Sequence, residues 1–184
     1  MSLDRQPSLT GTLVELRPLL EEDWDALFAV ASDSEIWAMH PMHDRWREPV
    51  FRDFFNDALA KGGALAVIDR STGRIVGSSR FERYDSADGG SVEIGWTFLA
   101  REFWGKGYNR EMKRLMLTHA LQAVQRVDFR VGDANTRSRR ALEKIGARLS
   151  PDRVEKPLVP GVGIVLHLYY EIDRENFASG PLSA

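Results

Sequence analysis

Between Phe103 and Glu111 the chain reads Phe-Trp-Gly-Lys-Gly-Tyr-Asn-Arg-Glu, with two glycines flanking a lysine just ahead of a helical pattern. Gly105 and Gly107 allow the backbone to turn tightly enough for successive amide N–H groups to point into one concavity. A helix starting behind them adds the positive end of its dipole and its unpaired first-turn amides. The ligand that suits such a nest is a diphosphate, with Lys106 as an auxiliary cation. Two other phosphate loops fit poorly. A Walker loop needs Ser or Thr after Gly-Lys, where this chain has Gly107, and a dinucleotide fingerprint needs a third glycine and an acid ending a later strand. His40-Pro-Met-His43 has the spacing of two metal ligands, but no third ligand cluster accompanies it, so no metal is expected.

The elements that must position the loop are an alternating strand before it and a long helix after it. Ser91 to Leu99 alternates, which predicts Val92, Ile94, Trp96 and Phe98 on one face and Glu93, Gly95 and Thr97 on the other. From about Tyr108 to Val124, Met112, Leu115, Met116, His119, Ala120 and Ala123 recur at helical spacing, placing His119 on the apolar stripe. Upstream, Leu13 to Arg17 reads as a strand stopped by Pro18, and Glu21-Glu-Asp-Trp24 opens a helix. A second helix is expected from Pro49 to Lys61, ended by Gly62-Gly63. Ala64 to Asp69 and Arg74 to Tyr84 form a hairpin, so three consecutive strands make an antiparallel meander. Downstream come a strand at Val127 to Val131, a helix at Asn135 to Ile145 closed by Gly146, and a last strand at Ile164 to Ile172. The sum is a mixed α/β (α+β) domain spanning 10–177, mostly antiparallel, with helices on both faces. Residues 1–9 and 178–184 are expected to be loose termini, and Met1-Ser2-Leu3 reads as a cloning remnant.

Composition narrows the function classes. The 184 residues are 43% hydrophobic and carry 25 basic against 27 acidic side chains. Scaling laws give ~9,000 Å² of folded surface, about 70% of the unfolded area being buried. The near balance of charge excludes a basic nucleic-acid footprint over the whole chain. There is no cysteine, which removes disulfides, thiolate metal sites and a cysteine nucleophile. No apolar run approaches the length of a membrane span, and the polar start lacks a signal-peptide core, so a cytoplasmic protein without membrane partner is expected.

Trp104-Gly-Lys-Gly-Tyr-Asn109 resembles the pyrophosphate loop of the GNAT acetyltransferases, Q/R-x-x-G-x-G/A, which lies between their fourth strand and third helix. The variant with Trp at the first position belongs to the ribosomal-protein N-acetyltransferase-like (RimJ/RimL-like) branch. Order and distance strengthen the resemblance: Glu93-Ile-Gly-Trp lies about ten residues upstream, and Asn135-x-x-Ser138 followed by Glu143-Lys-Ile-Gly146 about thirty downstream. Val14-Glu-Leu-Arg-Pro-Leu then Glu-Glu-Asp looks like the family's first strand and helix, so the similarity covers roughly Leu13 to Gly146.

The resemblance implies a central sheet of about seven strands splayed between the fourth and fifth, and acetyl-CoA as cofactor. The backbone of Thr97, Phe98 and Leu99 would pair with pantetheine, one N–H facing the developing oxyanion. Trp104, Gly105, Lys106, Gly107, Tyr108 and Asn109 would form the diphosphate loop, and Asn135 and Ser138 would also contact the cofactor. Glu93 is the candidate base, acting through a water, and Ser138 a candidate donor to the departing thiolate. Trp37, His40, Arg45 and Trp46, with Arg80 and Tyr84, would wall the acceptor site. Structural roles compete with these. Glu93 suits an ion-paired strand position, Asn135 an N-cap, Tyr108 simple packing, and Arg137, Arg139 and Arg140 a solvated helix face or a site for the adenosine 3′-phosphate. The chain departs from the family at Asn109, where Gly or Ala is usual, at Leu142, where many members have a tyrosine acid, and at Ala147 in place of an aromatic residue. The expected activity is acetyl transfer to a primary amine, on a protein N-terminus or a small molecule, by direct attack in a ternary complex. A non-catalytic acyl-CoA sensor of the same fold is the alternative, and a homodimer is compatible with either.

Overall fold

The strands expected between residues 13 and 99 form, and the sheet grows outward from them. The computed structural model describes residues 2–159 and 161–183. β1 (Leu9–Thr10) and β2 (Val14–Pro18) precede α1 (Trp24–Ala31), α2 (Ser34–Trp37) and α3 (Glu48–Lys61). The meander is β3 (Ala64–Asp69), β4 (Ile75–Asp85) and β5 (Ser91–Leu99), after which come α4 (Tyr108–Ala123), β6 (Arg126–Gly132) and α5 (Thr136–Lys144). β7 (Arg148–Glu155), the short ribbon β8 (Leu158–Val159) and β9 (Gly163–Ile164), β10 (His167–Asp173) and α6 (Arg174–Ala178) complete the described chain.

Eight strands, against about seven expected, make one sheet in the order β1-β2-β3-β4-β5-β6-β10-β7. All pairs are antiparallel except β5 with β6, and α4 is the crossover that a parallel pair requires. Each face of the sheet has its own core. Val14, Leu16 and Ile94 pack with Met112 and Met116 of α4 on one face. On the other, Leu27 of α1 and Phe51 and Phe55 of α3 meet Phe98. The folded chain exposes 9353 Å², close to the area expected from its mass.

The parallel pairing of β5 and β6 is brief. Its register runs only through Ser91↔Arg126, Val92↔Val127 and Glu93↔Asp128, so the two strands separate beyond Glu93 and the remaining β5 edge has no strand neighbour on that side. These are the fourth and fifth strands of the expected splay, renumbered because β1 precedes them. At the same place β5 bulges: Ser78 pairs Phe98 and Arg80 pairs Gly95, leaving Trp96 and Thr97 opposite the single residue Ser79. Trp96 takes the extra turn with φ +51°, a left-handed conformation that is strained for a bulky residue. The bulge reverses the predicted alternation. Val92 and Ile94 face α4, as do Thr97 and Leu99 after the bulge, whereas Trp96 and Phe98 are sent to the α3 side.

Other expectations are corrected at the periphery. The termini are docked: Leu3 is 7% and Leu182 2% exposed, both in the core on the α4 face. The last strand starts at His167 instead of Ile164, which lies in the separate ribbon and is exposed. β7 was not foreseen, because Arg-Leu-Ser-Pro-Asp-Arg-Val-Glu is an edge strand, polar on both faces and interrupted by proline.

Glu111 fixes the start of α4 to the sheet. Its carboxylate accepts from the backbone amides of Thr12 (2.9 Å), Leu13 (2.6 Å) and Val14 (2.9 Å). Gly11 makes room for it, since a Cβ there would lie 2.5 Å from Oε2. Glu111→Ala is expected to destabilise the fold by about 2–4 kcal/mol, the range for losing several charge-assisted bonds. Urea unfolding of the two proteins measures it, and a loss under about 0.5 kcal/mol contradicts the role.

Candidate active site

The loop before α4 has the conformation its glycines suggested. Gly105 has φ +72° and Gly107 φ +87°, values at which an L side chain is strained. Gly107 is the N-cap of α4 and no side chain caps it. The first intrahelical bond runs from Glu111 N to Gly107 O at 2.9 Å, and among the described residues the amides of Gly105 through Arg110 have no protein acceptor. Two flanking aromatics hold the loop. Tyr108 donates to Asp69 Oδ1 at 2.9 Å and packs on Phe103 with ring centroids 4.6 Å apart, so only its backbone is left to face a ligand. Trp104 donates Nε1–H to the Leu99 carbonyl at 2.9 Å, taking one of the β5 backbone groups expected to pair with pantetheine. The Arg137 guanidinium lies 4.1 Å over the Trp104 ring and bonds the Ile36 carbonyl. Arg139 donates to the Tyr170 hydroxyl. Of the three arginines read as one solvated face, only Arg140 is exposed.

On the α4 side of the splay lies a group that the helical pattern did not single out. Lys113 is 4% exposed, and its Nζ donates to Thr97 Oγ1 at 2.6 Å and Ser79 Oγ at 3.3 Å. The ammonium also lies 5.7 Å from the Phe129 ring of β6, so it occupies the wedge where β5 and β6 part. Among the described residues no carboxylate pairs with it, and burial pulls its pKa down to about 7.

The opposite side of the splay carries the acidic candidate. Glu93 is 4% exposed, its Oε2 accepts no hydrogen bond, and the guanidiniums of Arg83 and Arg130 stand 3.4 and 3.5 Å away. Burial raises its pKa above the usual carboxylate range against the pull of those two charges. Glu82, directly opposite on β4, adds like charge. Both arginines also pair with Glu155, which accepts from the Tyr169 hydroxyl. Burial would raise Glu155, but those hydrogen bonds hold it at about 2. The two carboxylates are therefore tuned apart, one a stronger base and one a permanent anion.

A family model described as Acetyltransferase (GNAT) domain matches residues 14–148. The chain belongs to the GNAT acetyltransferases. Solved structures agree on the fold. The chain is 25% identical to a GNAT-family acetyltransferase from Bacillus anthracis, with a TM-score of 0.74 over 92% of this chain and 99% of that one. It is 20% identical to RimJ from Mycobacterium smegmatis, solved with CoA-disulfide, with a TM-score of 0.74 over 96% and 90% of the two chains. Spermidine N-acetyltransferase from Vibrio cholerae, solved with CoA and spermine, is 16% identical, with a TM-score of 0.68 over 91% and 99%.

The GNAT family indicates acetyl transfer from acetyl-CoA, and the site of this member fits the coenzyme. The amides at the head of α4 are unpaired, and a Cβ built on Gly105 would meet nothing within 4 Å, so the concavity they line is open and could hold a diphosphate. Asn135 is 5% exposed and caps α5 by accepting from Ser138 N at 3.1 Å, which spends its side-chain oxygen. Ser138 is half-buried on the same turn, and among the described residues its hydroxyl has no partner. Leu142 packs in the core, so no acid stands at that position of α5.

The acceptor-wall candidates divide in this GNAT domain. Trp37 is a core residue whose Nε1–H bonds the Ala31 carbonyl, and it presents its ring to His40 and Arg45. Arg80 is 1% exposed and structural, bonded to Asp57 at 2.8 Å and lying over Trp96. Trp46 is 43% exposed. Tyr84 packs on the α4-side core, because the left-handed Arg83 (φ +51°) shifts the strand before it. The structure brings neither of these last two to the cluster. His119 is half-buried, its Nε2 2.7 Å from the Asp4 carbonyl. Among the described residues no three His, Asp or Glu side chains form a metal-holding group, and no helix is long and apolar enough to cross a membrane. Sequence reasoning missed Lys113, which α4 buries against Thr97 and Ser79, and Arg83, Arg130 and Glu155, which meet only through strand pairing.

Proposed function

We propose that this chain is an acetyl-CoA-dependent N-acetyltransferase of the RimJ/RimL-like branch, acting in the cytoplasm on a primary amine of a small molecule or a protein N-terminus. The observation that carries the reading is the conjunction of an uncapped, glycine-permitted amide cradle at α4 with the parting of β5 from β6 beside it. Acetyl-CoA supplies the acyl group as a thioester. The amides of Gly105 to Arg110 hold its diphosphate, and the unpaired β5 edge accepts the pantetheine. Glu93 takes the ammonium proton through a water, and the amine then attacks directly, there being no cysteine to carry the acyl group. A β5 amide faces the oxygen on which charge builds. Ser138 returns a proton to the thiolate.

Thermal unfolding with coenzyme A tests the first half. Ligand at 100 times its dissociation constant stabilises by ~2.7 kcal/mol, or about 5–11 °C for a chain of this size. Stabilisation by ATP with Mg²⁺ and none by coenzyme A overturns the reading. Thiol release from acetyl-CoA with a panel of amines tests the second half. Tight coenzyme binding with every amine unmodified replaces the enzyme by a non-catalytic acyl-CoA module, the reading favoured by Leu142.

Glu93→Gln is expected to retain coenzyme affinity and to lower turnover ~10²-fold. The base must be ionised and its pKa lies above the usual range. Wild-type turnover therefore climbs with pH through that raised pKa, while the glutamine variant lacks this limb. The two profiles converge at low pH and separate as pH rises. Superimposable profiles remove Glu93 from the reaction.

A further inference from the structure

Three arginines on the acceptor side of the splay meet carboxylates, whereas the half-buried Arg137 meets only the Trp104 ring and the Ile36 carbonyl. Arg80 has Asp57 and Glu82, and Arg83 and Arg130 share Glu93 and Glu155. Arg45 has none within ion-pair distance among the described residues. Its guanidinium lies 4.7 Å from the Phe54 ring and 5.6 Å from the Trp37 ring, aromatic faces that orient the fork without supplying an acceptor. Its one hydrogen-bond partner among the described residues is His40, with Nη1 and Nε2 3.4 Å apart, while Asp44 and Asp57 act on it only through their charge.

That contact sets two donors against each other. His40 Nδ1 accepts the Met42 amide at 2.9 Å, so Nδ1 carries no proton and the ring's hydrogen sits on Nε2. The histidine is neutral, since burial and then the charges of Arg45 and His167 keep its pKa well below the ordinary value. Arg45 can only donate. Two N–H groups therefore converge with no oxygen between them, and one is a cation so desolvated that burial, with Arg80's charge, pulls its pKa to about 10. His40, the member of the pair that lines it, opens onto a cavity of about 360 Å³ bounded also by Pro41, Gly132, Asp133, Asn135 and Val165, a volume suited to a small molecule.

We propose that Arg45 and His40 hold a carboxylate of the acceptor, so that the amine acetylated here belongs to a small amino acid. The inference rests on the acetyltransferase reading and narrows its substrate. A planar carboxylate can accept from the guanidinium with one oxygen and from Nε2–H with the other, which pairs the desolvated cation and satisfies both donors. The charges suit a zwitterion: the acids Glu93 and Glu155 stand at the splay, where the ammonium must arrive, and Arg45 offers its guanidinium to the carboxylate.

The test compares amino acids with their own carboxamides as acceptors. The series comprises the common α-amino acids with glycine, β-alanine, 4-aminobutyrate and 6-aminohexanoate, and the optimum length reports the span from the reacting nitrogen to Arg45. The expected preference for acid over amide in kcat/KM is roughly 10- to 100-fold, the effect of a hydrogen-bonded charge. In Arg45→Met, which keeps the stacking stem, that ratio collapses toward one; Arg45→Lys restores part of it, a lysine lacking the planar fork. Calorimetric binding of the matching N-acetyl amino acid to the coenzyme-loaded protein reads the same contact without turnover, and weakens by a similar factor in Arg45→Met. Amides equal to or better than acids, or a ratio and product affinity unchanged in Arg45→Met, overturn the proposal while amine acetylation stands. Failure of the parent reading looks different: coenzyme A does not bind, or no member of either series is modified.

Discussion

Gly107→Val is expected to weaken coenzyme A binding roughly 10³-fold while leaving a folded protein. The two effects separate because the glycine sits at the mouth of the helix and outside either core. Valine at φ +87° would impose left-handed strain of about 1–2 kcal/mol, and its Cβ would meet only Leu13 Cδ1, at 3.4 Å. For a chain of this size that lowers the melting temperature by about 2–8 °C. The ligand pays far more. Relief of the strain turns the peptide planes around residue 107, and the γ-methyls occupy the space into which the amides point. Losing two bonds to a charged diphosphate, at about 1.5–3 kcal/mol each, accounts for the factor. Lys106→Ala should change affinity less than ~10-fold, because Lys106 is exposed and the peptide hydrogens already supply the positive end. Titration calorimetry on both variants decides. A Gly107→Val protein that binds coenzyme A normally places the diphosphate elsewhere and withdraws the cradle from the site.

The cradle was legible because its determinants are local: two glycines and a helical stripe within about twenty residues specify both the turn and the dipole behind it. The meander and the crossover were legible for the same reason. What escaped depends on residues that meet across the sheet. Alternation placed Trp96 with Val92 and Ile94, yet one left-handed residue sends it to the other face, and nothing in Glu93-Ile-Gly-Trp-Thr marks a non-glycine for that conformation. Arg83 misdirected Tyr84 in the same way. Glu93 was read as an acid on β5, but its raised pKa comes from burial and from the like charges of Glu155 and Glu82, against the pull of Arg130 and Arg83, residues that strand register brings together. The docked termini show the reverse limit: Leu3 and Leu182 are single apolar residues in polar stretches, too few to make a pattern but enough to fill a core.

Lys113 was invisible for a further reason, and it leads to the other large effect. It follows Met112 on α4, one step off the predicted stripe, and is buried because the bulge at Trp96 turns Thr97 to cover it. Lys113→Met is expected to stabilise the protein by on the order of 5 kcal/mol at pH 6. The difference between 10.5 in the unfolded chain and about 7 in the fold, at ~1.4 kcal/mol per tenfold change in proton affinity, sets that figure. Methionine has nearly the same length, and the hydroxyls it leaves behind are already partnered, Ser79 Oγ lying 2.8 Å from Thr97 Oγ1. The dependence on pH follows from the sign of the shift. Below pH 7 the lysine is charged in both states and the whole desolvation cost opposes folding. Between pH 7 and 10.5 the unfolded chain binds a proton that the folded one does not, so wild-type stability rises with pH relative to the variant. Above 10.5 the amine is neutral in both and the cost is gone. Urea unfolding of the pair at pH 6, 7.5 and 9 should therefore show a gap that narrows steadily, with every other titrating group common to both proteins. A variant no more stable than wild type at pH 6 means that water or an anion reaches the ammonium, and that the wedge between β5 and β6 is wet.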